Sequence, residues 1–264
     1  ALVCSIGAVI CYMLCYHMTT ERVKVEQNTQ KFSFKELISE IAHNKALIGI
    51  IVCALLFLLA QLSLSNMNNY IYPNYFGNVS AMANLAGMVV ILVLSTFIVK
   101  LSAKVGKKEL SVIGSIISAA AFLILFFIHT DNVWVWIVLV LISSVGTAMF
   151  NMVIWAMITD VIDESEVQTG VRQDGTIYSV YSFARKLGQA CSSGLSGVLL
   201  SIIGYTSVTA FDPKVVDGIY NITCLVPAGG MILLLLALWF LYPLNKKRVE
   251  ENAEKLRIKR NENA

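Results

Sequence analysis

The chain has 264 residues, of which 57% are hydrophobic and only 14% charged, and its formal net charge is +3. Soluble domains carry about 25% charged residues, so this composition argues against an ordinary soluble globular protein and favours an all-α membrane protein. The small net charge gives no indication of nucleic-acid binding or of an acidic substrate.

Long stretches of the sequence contain no Asp, Glu, Lys or Arg. These runs are 46–99, 110–130, 132–159, 187–211 and 218–245. A helix needs about 20 apolar residues to cross a bilayer, so the longest run has room for two spans. Together with the apolar start of the chain, the runs predict seven transmembrane helices: 1–18, 46–66, 79–100, 109–129, 133–158, 176–203 and 219–243.

Lysine and arginine are abundant in every second connection between these helices. There are five in 19–45, four in 100–108 and seven after residue 245, against none in 67–78, none in 130–132 and one in 204–218. Because cytoplasmic loops collect Lys and Arg, the odd-numbered spans are predicted to enter from outside, and the C-terminus is predicted to be cytoplasmic. The first span is interpreted as one whose upstream sequence is missing.

The connection 19–45 contains its own helix signal. Ser33 and Glu36 form a capping-box pattern. The apolar residues Phe34, Leu37, Ile38 and Ile41 then follow at helical spacing. This pattern predicts a short amphipathic helix that either lies on the cytoplasmic membrane surface or serves as an ordinary linker. The tail 246–264 is predicted to be a solvated, charged helix, and no specific role is assigned to it.

Span 176–203 is the most polar of the predicted helices. Its Ser179, Ser182, Lys186, Gln189 and Ser193 recur at steps of three or four and therefore share one face. Its Gly188, Gly194 and Gly197 are expected to let another helix pack close. Lys186 is about ten residues past the predicted start, which places it roughly 15 Å deep. A cation at that depth is costly and usually marks a substrate or ion path. The alternative is a side chain that extends to the interface.

Acidic residues follow span 133–158. Asp160 and Asp163 are three apart and are expected to share a helical face, and Glu166 and Arg172 follow. These carboxylates are expected to form salt bridges with Arg172, Arg185 or the upstream part of the protein, and the pairs would lock one state of a transport cycle. The alternative is a solvated loop.

Amide and aromatic side chains are further candidates for ligand binding. One face of the second span is expected to carry Gln61, Ser65, Asn68 or Asn69, and Tyr72, of which Gln61 and Asn69 are the better ligand candidates. Asn151 and Trp155, four residues apart, are expected to line the same cavity. Such groups suit a polyhydroxylated ligand, because they offer donors, acceptors and a flat stacking surface. Trp155 has an alternative interpretation as an interfacial belt residue. The six cysteines lie in apolar runs without metal-ligand spacing and are interpreted as packing residues, so no metal or cofactor is predicted.

One long segment resembles a known family. The stretch WAMITDVIDESEVQTGVRQDGTIYSVYSFARKLGQA is similar to the glycoside-pentoside-hexuronide:cation symporters, a branch of the major facilitator superfamily. The similarity extends more loosely from FSFKELISEIAHNK to LYPLNKKR. It implies a major-facilitator-type six-helix half-bundle preceded by one transmembrane helix. Residues 1–18 would be the last span of an N-terminal half, 19–45 the middle loop, 46–245 the C-terminal bundle and 246–264 the tail.

The resemblance also implies residue roles. Asp160, Asp163 and Arg172 match the gating loop of the family. Lys186 matches a lysine near the sugar and coupling-ion sites, and Tyr181 and Ser182 fall at sugar-facing positions one turn before it. In the family, the acidic residues that bind the coupling cation belong to the N-terminal half, which is missing here. The resemblance therefore does not decide whether the coupling ion is Na⁺ or H⁺.

These observations predict a secondary active transporter, not an enzyme, that couples uptake of a glycoside, pentoside or hexuronide to Na⁺ or H⁺. The expected setting is the bacterial cytoplasmic membrane, and the expected partners are the sugar, the lipid bilayer and the N-terminal half. The substrate-binding residues are predicted to be Lys186, Tyr181, Ser182, Gln189, Asn151, Gln61, Asn69 and Trp155. The gating residues are predicted to be Asp160, Asp163, Arg172, Glu166 and Arg185. Two alternatives stay open: a transport-inactive membrane sensor or scaffold, and an exporter of another small molecule.

Overall fold

A computed structural model describes residues 2–19, 44–77 and 80–262. Throughout these segments the regular structure is helical, without a β-strand, which confirms the all-α prediction. The chain divides into two compact units, Ala1–Ile38 and Ser39–Ala264. The described residues form eight helices: α1 Leu2–Met18, α2 Lys45–Asn74, α3 Ser80–Val105, α4 Lys107–Ile128, α5 Val133–Thr169, α6 Asp174–Ile202, α7 Pro213–Phe240 and α8 Lys246–Glu262.

The helix ends follow from local chemistry. Asn44 and Asn132 cap α2 and α5, since each side-chain oxygen accepts a bond from a first-turn N–H at 2.9 Å. Two glycines with positive φ, a backbone conformation that favours glycine, lie at the turns between helices. Gly106 (φ 114°) separates α3 from α4, and Gly170 (φ 78°) ends α5.

Five of the helices described are long and apolar enough to cross a bilayer: Lys45–Asn74, Gly87–Val105, Lys107–Ile128, Val133–Thr169 and Pro213–Phe240. The first unit contributes α1, whose apolar part, Cys4–Met18, is shorter. Helix α6 has 29 residues and is long enough, but its Ser, Gln, Lys and Arg side chains keep its hydropathy low. The protein is therefore an integral, multi-pass membrane protein, and α6 is its polar helix.

In the second unit, α2 lies against α6 and α7, α4 packs between α5 and α7, and α3 packs on α5. One core cluster surrounds Phe57, Phe150 and Met157, and another surrounds Tyr72 and Trp136. Many apolar side chains of α3, such as Leu92 and Phe97, are exposed, as a lipid-facing surface requires.

Small residues set the closest helix crossings. A side chain at Gly146 would collide with the backbone oxygen of Gly114, where α4 and α5 cross. A Cβ at Gly188 would meet Leu55 of α2 at 2.9 Å, which confirms the expectation that this glycine allows close packing. Gly194 and Gly197 were expected to do the same, but a Cβ there meets nothing within 4 Å among the described atoms.

Two helices extend well beyond the ends of the transmembrane spans predicted for them. Helix α5 continues from the predicted end at 158 to Thr169, and α2 continues from 66 to Asn74. Asp160, Asp163 and Glu166 therefore lie on a helix and not in a loop. The amphipathic helix predicted around 33–41 lies outside the described residues.

Candidate functional site

Three aromatic rings and a cation lie together where α5 and α6 meet, and we call them the aromatic–arginine cluster: Trp155, Tyr178, Tyr181 and Arg185. The Arg185 guanidinium lies 4.8 Å from the centroid of the Trp155 ring and 5.8 Å from that of Tyr181. Its Nη1 donates to the Tyr181 hydroxyl at 3.3 Å. These are cation–π distances, so the rings hold the guanidinium in place.

The rings of the cluster join two helices. Trp155 of α5 lies 6.0 Å from Tyr178 and 5.8 Å from Tyr181 of α6, between ring centroids. Tyr181 is fully buried, whereas Trp155 and Tyr178 are 45% and 50% exposed. The cluster therefore has a fixed base and an open surface that a ligand can reach.

Lys186 follows the cluster along α6 and is exposed. Its ammonium donates to Oε1 of Gln189 at 3.3 Å. Helix α6 buries the opposite face, which includes Tyr181, Gly188 and Ser192, against the bundle. The predicted polar stripe is thus exposed together with the cluster, and Ser182 is half-buried at its edge.

The structure separates the two amide candidates of α2. Gln61 lines a cavity of about 170 Å³ together with Ser65 and Asn68. Asn69 instead lines a groove of about 270 Å³ between α2 and α6, with Ser193 on the other wall. The expectation of one shared face holds for Gln61, Ser65 and Asn68. It does not hold for Asn69, because eight residues at 100° each leave it about 80° away from Gln61 around the helix.

Asn151 and Trp155 were expected to line the same cavity as Gln61. The described residues around that cavity do not include either of them. Asn151 is exposed one turn before Trp155 on α5, so it extends the cluster surface instead. Of the predicted binding residues, the structure brings Trp155 and Tyr181 together, and it places Lys186, Gln189 and Asn69 along one polar side of α6.

Arg172, between α5 and α6, is bound by three carboxylates, and we call this group the Arg172 cluster. Its Nη1 donates to Asp163 and Glu166 at 2.9 Å each, and its Nε donates to Asp174 at 2.8 Å. Partial burial alone would lower the pKa of Arg172, but the bonds to Asp174, Asp163 and Glu166 outweigh it and raise that pKa above its ordinary value.

Asp160 has a different partner. Its carboxylate is 7% exposed and accepts a bond from the Lys107 ammonium at 2.6 Å, and Lys107 also donates to the Ala156 carbonyl at 3.2 Å. Asp163 pairs with Arg172, as expected, but Asp160 pairs with Lys107, which was not among its expected partners, because Asp160 faces α4 and Asp163 faces the α5–α6 turn. Arg185 also departs from expectation, since its contacts in the described part of the chain are aromatic and not acidic.

A third charged group links the tail to the bundle. The buried carboxylate of Glu164, on α5, accepts bonds from Arg248 (Nε, 3.2 Å), Asn252 and Gln168. Sequence reasoning missed this contact and treated the tail as solvated. The spacing of Val249, Asn252 and Leu256 was the available signal. It places two apolar residues and one uncharged amide on the same face of an otherwise highly charged α8.

Among the residues that the structure covers, no group of three or more His, Cys, Asp or Glu is placed to hold a metal ion.

A family model described as MFS/sugar transport protein matches residues 1–246. The chain is 29% identical over 256 residues to a glucuronide carrier protein homolog of Escherichia coli K12, covering 95% of this chain and 55% of that protein. It is 28% identical over 265 residues to a putative sulfoquinovose importer of the same strain, covering 99% and 56%. It is 31% identical over 240 residues to an uncharacterized symporter of Bacillus subtilis 168, covering 90% and 52%. The chain spans about half the length of the curated relatives it matches.

Proposed function

Because the chain belongs to the MFS/sugar transport protein family, we propose that it forms one half of a secondary active transporter that couples uptake of a glycoside, pentoside or hexuronide to Na⁺ or H⁺. Membership confirms the resemblance predicted from the sequence and makes the chain part of a transporter and not an enzyme. An upstream half completes the protein in this proposal, which the half-length coverage of the relatives supports.

The observation that carries the proposal is the open polar face of α6. Lys186 lies about 18 Å along the helix from Asp174, at 1.5 Å per residue, which corresponds to the middle of a bilayer. There the Lys186 ammonium lies beside the amide of Gln189. The preceding residue, Arg185, belongs to the aromatic–arginine cluster. Cations, amides and rings on one open face suit a sugar that binds near the midplane between two halves.

The charged end of the bundle supports an alternating-access cycle. The Arg172 cluster and the Lys107–Asp160 pair lie where α3, α5, α4, α6 and α8 meet, and we propose that this end is cytoplasmic. Ion pairs there favour one orientation and rearrange in the other. The carboxylates that bind the coupling cation are assigned to the upstream half.

The experiment is a substrate screen on the full-length transporter in proteoliposomes, with an imposed Na⁺ gradient, an imposed pH gradient, or neither. We expect inward accumulation of a sugar above its equilibrium level with one gradient only. Tight sugar binding without counterflow would instead support the sensor or scaffold, and transport only outward would support the exporter.

A further inference from the structure

We infer that Arg185 recognises an anionic group on the sugar, so that the preferred substrate is an acidic glycoside bearing a carboxylate or sulfonate. This inference rests on the proposed function, and it assigns Arg185 a role in substrate specificity instead of the gating role predicted from the sequence.

The two cations of α6 differ from other cations of the bundle in their partners. Arg172, Arg248 and Lys107 each contact at least one carboxylate. Within the segments that the structure describes, Arg185 has only the Tyr181 hydroxyl and two ring faces, and Lys186 has only an amide. Two adjacent cations in the middle of a membrane-length helix thus lack an anion, which is an unfavourable arrangement unless a ligand or a partner segment supplies one.

The geometry of the guanidinium favours a ligand anion. The guanidinium carbon lies over the rings of Trp155 and Tyr181, and among the described residues only Nη1 makes a hydrogen bond, which leaves the rest of the donor edge available. That edge is a planar fork of N–H donors, which pairs with a carboxylate or sulfonate through two parallel bonds. Lys186, by contrast, is a point charge bonded to Gln189, and it offers no such fork of donors.

The surroundings of Arg185 also fit the rest of a sugar. The half-exposed rings of Trp155 and Tyr178 offer apolar faces against which a pyranose ring stacks. Asn151, one turn before Trp155, offers an amide to the hydroxyl groups. An acidic glycoside therefore matches the cluster at the anion, the ring and the hydroxyls together.

The alternative source of the anion is a carboxylate of the upstream half. In that case Arg185 would act as a conformational lock, and it would affect neutral and acidic sugars equally. The two roles differ in their effect on substrate preference, and this difference is measurable.

The test compares methyl glucuronide, methyl sulfoquinovoside and neutral methyl glucoside on the full-length transporter. Binding is measured by calorimetry without a gradient, and uptake is measured separately with one. We expect Arg185→Gln to weaken binding of both acidic sugars roughly 10- to 100-fold, with glucoside binding unchanged within threefold. Arg185→Lys should recover part of the loss, and Lys247→Gln, a change at an 85% exposed side chain of α8, is the matched control.

Each outcome decides the matter. Equal loss for glucoside and glucuronide, or a wild type that binds them equally well, overturns the inference. Selective binding of the acidic sugars without gradient-driven uptake overturns the proposed symport and leaves the recognition by Arg185 standing. Preference for one acidic sugar over the other tells carboxylate from sulfonate.

Discussion

Glu164 and Arg248 join the tail helix to the transmembrane bundle across 84 residues of sequence. The Arg248 Nε donates to Oε2 of Glu164 at 3.2 Å, and Nη2 donates to the other oxygen. Only 3% of the Glu164 side chain is exposed, against 48% of Arg248. The hydrogen bonds that Arg248 donates to Glu164 raise the pKa of Arg248 more than burial lowers it, so the arginine stays charged.

Replacing Glu164 should release the tail helix. Glu164→Ala removes the acceptor shared by Arg248, Asn252 and Gln168, but the half-exposed arginine regains water, so the loss is about 1–3 kcal/mol of unfolding free energy. Hydrogen exchange of the α8 amides in the full-length protein should rise about tenfold or more. Glu254→Gln, at an exposed pair with Arg257, is the control. Unchanged exchange in Glu164→Ala would show that α8 is held by other contacts.

The crossing of α4 and α5 should not accept a methyl group. Gly146→Ala places its Cβ against the Gly114 oxygen, and backbone cannot move aside as a side chain can, so we expect a loss of about 1–3 kcal/mol. Gly229→Ala on α7 is the matched control, because a Cβ there meets no described atom within 4 Å, and it should be neutral or stabilising. Thermal unfolding in detergent compares them, and equal midpoints for the two variants would contradict this packing.

Asp160 and Asp163 should behave as members of separate ion-pair groups. In a double-mutant cycle, Asp160→Asn and Lys107→Met should show a coupling of about 1–2 kcal/mol, because they share one bond. Asp160→Asn and Arg172→Gln should add within about 0.5 kcal/mol. Strong coupling of Asp160 to Arg172 would instead support the pairing with Arg172 that the sequence suggested.

The Arg172 cluster should keep its charge on Arg172 across the physiological pH range. The pKa of Arg172 is raised in the folded protein, so its stabilising contribution is fully present below the unfolded-state pKa and is lost only as the pH rises through the higher folded-state pKa, well above the physiological range. We expect Arg172→Gln to slow sugar uptake about tenfold, with binding changed less than threefold, and by the same factor at pH 6 and pH 9. A wild-type advantage that disappeared at pH 9 would refute this assignment.

The sequence predicted the helices well and their ends less well. Charge-free runs indicate which residues lie in lipid, so a run ends at the membrane boundary even where the helix continues beyond it, as Val133–Thr169 does. The drift between Gln61 and Asn69 could be calculated from helical geometry alone. Helical geometry alone could not predict the contacts of Asp160 with Lys107 and of Arg185 with Trp155. Each contact joins two helices, and the relative rotation of helices is set by packing at sites such as Gly146.

The most direct test of the account concerns Lys186. It is gradient-driven sugar accumulation by full-length Lys186→Ala transporter in proteoliposomes, compared with wild type and with Lys247→Gln. If the open polar face of α6 is the substrate and coupling path, Lys186→Ala should lose accumulation by a factor of about 100 or more, while Lys247→Gln should accumulate sugar as wild type does. Full accumulation by Lys186→Ala would place the transport path elsewhere.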